Sequence, residues 1–405
     1  MYWLYNISML IYGLLVRLAS LFNVKAKLFV DGRKGIFEHI AAKFNTTGHP
    51  IWFHFASLGE FEQGRPVLES IKTSKPNEKI IVTFFSPSGY EIRKNYALTD
   101  GIFYLPIDTI ANAKKFIELV NPKMAIFTKY EFWPNYFNAL AKKNIPLYII
   151  SGIFRTNQIF FKAYGGFYRN VLKFVSHFFV QNEESATLLK SIGINRVDIS
   201  GDTRFDRVYE NAQTPKTLPI IEKFCSNHPV LIAGSTWPAD EKLLVDLATK
   251  NPDWKLVIAP HEIHEGHINT IIDLFPTGVK FSALSLDKND ESEAQVLIID
   301  NIGMLSSLYQ YGKIAYIGGG FGVGIHNTLE AAAFGLPVIF GPNYHKFQEA
   351  KDLIEIGAAK SISNTEELMV SFKHYVQYDS GSLAKNYVAS KKGATEMIIK
   401  KIFEG

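Results

Sequence analysis

Short runs of β-branched and aromatic residues recur along this chain at intervals long enough to hold a helix between neighbours, and that alternation restricts the fold more than any other feature. The first series is IWFHFA (51–56), IIVTFF (80–85), MAIFTK (124–129), PLYIIS (146–151) and FFVQ (178–181). The second is VLIAGS (230–235), KLVIAP (255–260), QVLIID (295–300), IAYIGG (314–319) and PVIFGP (337–342). Unbroken apolar runs suit strands buried on both faces, hence parallel sheets covered by helices. A polar, proline-bearing stretch, NAQTPKTLP (211–219), lies between the two series and suits a linker. With 405 residues and 47% hydrophobic content the chain can bury two cores of domain size. The expectation is therefore α/β: two doubly wound, Rossmann-like domains facing a central cleft, at 25–210 and 220–385, with 386–405 as a C-terminal helix. Ligands in such sheets bind beyond the carboxyl ends of the strands, so function is sought in the loops after each run.

The first residues depart from this pattern. From Tyr2 to Phe22 the chain is apolar and aromatic and approaches the roughly 20 residues that cross a bilayer, with Arg17 close enough to the end to snorkel. No small-residue cleavage site follows, and the basic flank lies on the C-terminal side. This predicts a retained anchor at 1–24 with the body on the cytoplasmic side. Arg17, Asn6 and Ser8 leave open an amphipathic helix lying in the interface. Arg17, Lys25, Lys27, Arg33 and Lys34 against Asp31 account for the whole formal net charge of +4. The balanced remainder argues against a nucleic-acid partner, which would need a basic stripe on the folded body. The single cysteine, Cys225, rules out an intramolecular disulfide and suits packing.

The stretch AYIGGGFGVGIHNTLEAAAFGLPVIFGP (315–342) reads as strand, glycine turn, helix, loop, strand. Gly318, Gly319, Gly320 and Gly322 let the backbone approach a ligand, and a helix from about Asn327 aims free N–H groups at anionic oxygens. Glu330, one turn on, fits ribose hydroxyls better than phosphate. The whole reads as a nucleotide-sugar site, or as an ordinary glycine turn beside a solvated acid. In the first series, SLGE (57–60) places Glu60 at a strand end before a helix, as a general base for a sugar or lipid hydroxyl or as a residue offsetting the helix dipole. KYEFWPN (129–135) puts Glu131 at the corresponding end of another strand, to hold an acceptor or to cap a helix.

In the second series, GSTWPADE (234–241) offers Ser235 and Thr236 to a phosphate or as a helix cap. APHEIHEGH (259–267) brings Pro260, His261, His264 and His267 together, but no Asp-x-Asp motif accompanies them, and no metal is expected. SGDTRFD (200–206) sets Arg204 to reach a phosphate or to pair with Asp202 or Asp206. SGIFRTNQIFFKAYGGFYRNVLKFVSHFF (151–179) carries Arg155, Lys162, Arg169 and Lys173 among aromatics without an acid, which suits anionic headgroups or an amphipathic helix packed on its own domain.

SLGE, KYEFWPN, SGDTRFD, GSTWPADE, DNIGML (300–305) and GIHNTLEAAAFGLPVIFGP (324–342), in this order over nearly the whole chain, resemble the bacterial 3-deoxy-D-manno-octulosonic acid (Kdo) transferases. The resemblance implies a GT-B glycosyltransferase of the inner membrane. It would move Kdo from CMP-Kdo to a lipid A precursor, with inversion and without a bound metal or other cofactor. Carried over, Glu60 is the proton acceptor and Glu131 a transition-state stabiliser; Arg204 joins them as the catalytic charge expected to stabilise phosphate. Pro260, His261, Ile302, Gly303, Met304, Asn327, Thr328, Leu329 and Glu330 line the CMP pocket. The family often has lysine at Arg204, arginine at His261 and glutamate at Met304, so donor contacts are where this chain departs. A UDP-sugar-dependent GT-B transferase, a sugar-nucleotide epimerase and a non-catalytic membrane-tethered sugar-nucleotide binder remain as alternatives.

Overall fold

The computed structural model describes residues 1–44, 48–285 and 294–404. They form two compact units, the first comprising Met1–Asp206 with Lys392–Gly405, the second Arg207–Lys391.

Unit 1 is built on a parallel sheet of β1 (Ile51–Phe55), β2 (Ile80–Phe84), β3 (Gly101–Tyr104), β4 (Met124–Thr128), β5 (Leu147–Gly152), β6 (His177–Val180) and β7 (Val197–Ile199). Their order is β3-β2-β1-β4-β5-β6-β7, so the winding reverses between β1 and β4. Unit 2 repeats the design with β8 (Val230–Thr236), β9 (Lys255–Pro260), β10 (Val279–Lys280), β11 (Val296–Ile298), β12 (Ile314–Ile317), β13 (Val338–Phe340) and β14 (Ala359–Ser361). Here the order is β10-β11-β9-β8-β12-β13-β14, with the reversal between β8 and β12. Each sheet has two strands more than the apolar runs predict. β3, β7, β10 and β14 are short, and all four are sheet edges, where one side of the strand needs no apolar cover.

The strand period of two explains the layering. Ile51, Phe53 and Phe55 of β1 enter one core with Phe61, Val67 and Ile126, whereas Trp52 enters the opposite one with Phe116, Phe127 and Tyr136. Each such buried side chain contributes about 1.5–3 kcal/mol. Helix Leu58–Ser74 crosses β1 and β4 at Gly64, where a Cβ would come 2.2 Å from Phe55 and 2.9 Å from Thr128. Residues 211–219 are not all extended linker: helix Arg204–Gln213 runs into them and helix Pro219–Cys225 starts at their end. Segment 386–405 is divided. Helix Gly381–Lys391 belongs to unit 2, while helix Ala394–Glu404 returns to unit 1, burying Ile398 and Ile402 beside Phe53 and Ile71. Asp206 accepts from the backbone N–H of Gly393 and of Thr395 and so caps that last helix. Cys225 is buried, and burial pushes its thiol up to about 12, which keeps it protonated and inert.

Candidate active site

Because all strands of a unit run parallel, their carboxyl ends share one edge, and the loops flanking the reversal diverge to leave a crevice. In unit 1 those loops follow β1 and β4, and they carry Glu60 and Glu131. Glu60 lies in the first turn of helix Leu58–Ser74, and its Oε2 accepts from the N–H of Ala56 at 2.6 Å. Burial, and then the nearby charge of Glu131, push its carboxyl up to about 7, against the lowering effect of the Ala56 bond and the Lys129 charge. A carboxylate poised there accepts a proton far more readily than one at its ordinary value.

Glu131 sits just beyond β4, and its Oε2 receives the indole N–H of Trp133 at 3.0 Å. The same N–H lies 3.2 Å from His54 Nε2, which is itself 3.4 Å from Glu131 Oε2. His54, fully buried in β1, places Nδ1 3.1 Å from Thr83 O and 2.9 Å from Thr83 Oγ1. His54 Nε2 faces both the Trp133 N–H and Glu131 Oε2 while Nδ1 faces Thr83, so the ring is held from both sides. Trp133 thus orients Glu131 as well as packing 4.7 Å from Phe85.

Arg204 is held close to its own loop. Its Nε and Nη2 each lie 2.8 Å from Asp202 Oδ2, and its backbone N–H donates to Asp202 Oδ1 at 3.0 Å. Burial raises the Asp202 carboxyl, but the Arg204 charge and hydrogen bonds outweigh it and hold it below its ordinary value. Gln63, three residues past Glu60, donates to both Asp202 oxygens at 3.2 Å. Lys129, in the left-handed region with φ 60°, acts electrostatically on both Glu60 and Asp202. His54, Gln63, Lys129 and Asp202 therefore belong to the site, although sequence reading did not assign them. The available signal was a histidine within the apolar run IWFHFA, since a buried polar side chain has to find partners.

In unit 2 the loops after β8 and β12 flank the reversal, with those after β9 and β11 alongside. The glycines do different work from that expected. A Cβ at Gly318 would lie 2.3 Å from Ser235 O, and one at Gly320 would lie 2.6 Å from the Gly341 backbone. Gly319, at φ 90°, gives its N–H to Asp240 Oδ2 at 2.9 Å. These residues let chain approach chain rather than ligand. The helix expected from Asn327 is a short one, Leu329–Ala333. Asn327 Oδ1 accepts from the Leu329 N–H at 3.1 Å, and its Nδ2 donates to Glu330 Oε1 at 3.1 Å. Thr328 and Leu329 are buried, so only Asn327 and Glu330 present side chains at this end.

Thr236 likewise points inward. Its hydroxyl donates to Glu241 Oε1 at 2.9 Å, and Glu241 Oε2 lies 2.9 Å from His267 Nε2. Neither Ser235 nor Thr236 caps helix Pro238–Lys250, whose N-cap is Trp237, with its N–H donating to Asp240 Oδ2 at 2.9 Å. Ser235 remains available, half-buried and strained at φ 55°. The histidines separate: His267 is buried against Glu241, and His264 accepts from the His267 N–H. His261, beyond Pro260, stacks against Trp237 at 4.9 Å and His326 at 4.3 Å. Burial, then the adjacent His261, push His326 down to about 4, so a neutral ring accepts the Trp237 indole N–H at 3.1 Å. Ile302 is exposed, Gly303 takes φ 93°, and Met304 starts helix Leu305–Leu308. The buried hydroxyls of Tyr309 and Thr328 have no hydrogen-bond partner among the described residues.

The basic aromatic stretch 151–179 is not one surface. Phe154, Phe160, Val171 and Leu172 join the core, and Arg169 donates to the carbonyls of Phe160, Lys162 and Ala163. Only Arg155 and Lys173 of its four bases are exposed.

Comparison with known proteins bears on what this arrangement does. Residues 31–207 match the family described as 3-Deoxy-D-manno-octulosonic-acid transferase (kdotransferase). The 3-deoxy-D-manno-octulosonic acid transferase of Aquifex aeolicus (strain VF5) is 28% identical over 327 residues, 79% of this chain and 84% of that protein. The protein of the same description from Haemophilus influenzae is 27% identical over 334 residues, 79% of this chain and 77% of its own length. In fold, the chain resembles the UDP-GlcNAc 2-epimerase of Neisseria meningitidis, with a TM-score of 0.60 and 16% identity, covering 88% of this chain and all of the other. A glycosyltransferase from Rickettsia africae gives a TM-score of 0.55 at 15% identity, covering 89% and 97%. At such identities the structural likeness speaks for the fold alone.

Proposed function

We propose that the chain is a member of the bacterial Kdo transferase family of lipopolysaccharide biosynthesis and that it moves Kdo from CMP-Kdo to a lipid A precursor of the lipid IVA type, with inversion. The observation that carries this reading is Glu60, a carboxyl raised to about 7 at the winding reversal of unit 1, beside a second carboxylate held by an indole N–H. The acceptor hydroxyl attacks the anomeric carbon of Kdo. As its oxygen bonds to that carbon, the bond to the CMP phosphate breaks, CMP leaves with the electron pair, and the hydroxyl proton passes to Glu60. Glu131, fixed by Trp133, sets negative charge where the sugar becomes electron-poor. Arg204, oriented by Asp202, supplies positive charge for the acceptor's or donor's anionic groups.

Unit 2 is the donor half in this reading. The His261 ring, stacked with Trp237 and His326, offers a flat platform, and Glu330 and Asn327 suit ribose hydroxyls. Pro260, Ser235 and the Ile302–Met304 turn complete the pocket. CMP is a good leaving group, and the mechanism uses no resident metal. The reaction takes place on the cytoplasmic side of the inner membrane, where donor and lipid acceptor meet.

Detergent-solubilised protein supplied with CMP-Kdo and a tetraacylated lipid A precursor is expected to add Kdo mass to the lipid, and Glu60→Ala to add none while binding CMP normally. Displacement of bound CMP by UDP at equal concentration, with no Kdo transfer, would turn the assignment towards a UDP-sugar enzyme or an epimerase.

A further inference from the structure

Helix Tyr2–Ala19 is amphipathic in the reverse sense. Tyr2, Tyr5, Met9, Tyr12 and Val16, spaced three and four residues apart, form the face turned to unit 1. The Tyr5 hydroxyl donates to Asp108 at 2.6 Å, the Tyr2 hydroxyl to Pro134 O at 3.1 Å, and Asn135 to Asn6 at 3.1 Å. Asp108 is fully buried and also accepts the N–H groups of Asn135 and Tyr136. The opposite face carries Leu4, Ile11, Leu14, Leu15 and Leu18, and Phe22 beyond it is 92% exposed. A helix with its polar atoms on the protein and its leucines outward needs an apolar medium beside it. Spanning the bilayer away from unit 1 would strip Tyr5 from Asp108 and leave a buried carboxylate short of a donor.

Beneath the helix lies a cavity of about 400 Å3, walled by Val16, Phe29 and Ile107 and carrying Arg17, Arg33 and Lys34. Arg33 donates to the carbonyls of Leu105, Phe29 and Phe85, so its charge is held by neutral groups. Asp31, 2.6 Å from Lys34, offsets one of the three positive charges. Lys25 and Lys27 add to the excess on helix Val24–Asp31.

We propose that helix Tyr2–Ala19 lies in the plane of the membrane, docked on unit 1, and that the cavity beneath it takes the phosphate headgroup of an anionic bilayer lipid. Apolar walls beside a cationic rim match such an amphiphile, and Val16 and Arg17 of the helix itself line the cavity. Tyr12 stacks at 6.3 Å on Phe85, which packs on Trp133, the residue that orients Glu131. The membrane surface is thereby set beside the acid pair of unit 1.

Vesicle flotation of the full chain, without donor or acceptor, tests this independently of the transfer reaction. The chain should bind phosphatidylcholine vesicles containing phosphatidylglycerol about tenfold more tightly than phosphatidylcholine alone. Arg17→Glu with Lys34→Glu, melting as the parent does, should lose that preference and keep the weaker binding; a preference that survives overturns the headgroup site. Leu14→Asp with Leu18→Asp should abolish binding to both, and unchanged flotation overturns the in-plane helix. A cysteine appended before Met1 should react with a membrane-impermeant thiol reagent added outside protein-bound vesicles, Cys225 being buried. Reaction only after the vesicles are permeabilised means a spanning helix and overturns the proposal.

Discussion

Units 1 and 2 share one design, seven parallel strands with a single reversal of winding, and put opposite chemistry at the reversal. Unit 1 places ionisable side chains there: Glu60, Glu131 and Lys129, with His54 beneath. Unit 2 turns its acids inward. Asp240 receives the Tyr316 hydroxyl at 2.8 Å and the Gly319 and Trp237 N–H groups, while Glu241 holds Thr236 and His267. What faces outward is a glycine turn, three stacked rings and Glu330. In the proposed reading, one crevice topology serves proton transfer where its carboxylates are few in partners, and recognition by shape where they are fully satisfied. The cost falls differently: unit 1 carries a desolvated acid, whereas unit 2 carries tight backbone contacts.

Glu60→Gln should have the largest effect, a loss of about 10²–10⁴-fold in turnover with CMP affinity unchanged. Equal loss of CMP binding, read by calorimetry, would dissolve the division between units. Gly320→Ala presses a methyl group to 2.6 Å from the Gly341 backbone, and roughly 2–4 kcal/mol of stability should go. Chemical denaturation followed by hydrogen exchange should locate that loss in unit 2, and a loss spread evenly would show the units to be one cooperative body.

The pH dependence sharpens the comparison further. The folded Glu60 carboxyl titrates near 7, above its ordinary 4.5, so the native state binds the extra proton between those values. Stability from this group is therefore full below about 4.5 and declines as pH rises through 7, while turnover rises over the same range because the ionised form is the base. At pH 8 Glu60→Gln should be more stable than the parent by roughly 1–3 kcal/mol, and melting curves across pH should converge below 5. Smallest is Trp133→Phe, which keeps the ring against Phe85 but removes the N–H from Glu131. About a tenfold fall in turnover with little change in melting is expected, and an unaltered rate would mean that Glu131 needs no orienting donor.

Much of this was legible in the sequence. The apolar runs marked the long strands, and SLGE and KYEFWPN marked Glu60 and Glu131, because a carboxylate after a buried strand stands at the ligand-binding edge wherever the sheet lies. The glycine loop was misread in detail. Glycine tolerates close approach by ligand and backbone alike, and its spacing does not tell Gly341 from a nucleotide. Thr236 and Arg204 were similarly ambiguous: each is a hydrogen-bonding group whose partner, Glu241 or Asp202, is settled by how neighbouring elements pack. The basic aromatic stretch 151–179 looked like a surface because its aromatic residues, alternating irregularly with bases, do not declare which of them the core will take.

By itself, the sequence determined the alternation of strands and helices, the division into two units, the acidic pair and the apolar basic N-terminus, all of which follow from local pattern and composition. Only the tertiary structure decided how Glu60 is buried and that β1 and β4 lie side by side, so that burial first and the field of Glu131 second lift it to about 7. It also decided that Tyr5 reaches Asp108 across 103 residues and turns the leucines of the first helix outward. Burial and partnership depend on which distant segments meet, and chain order carries neither.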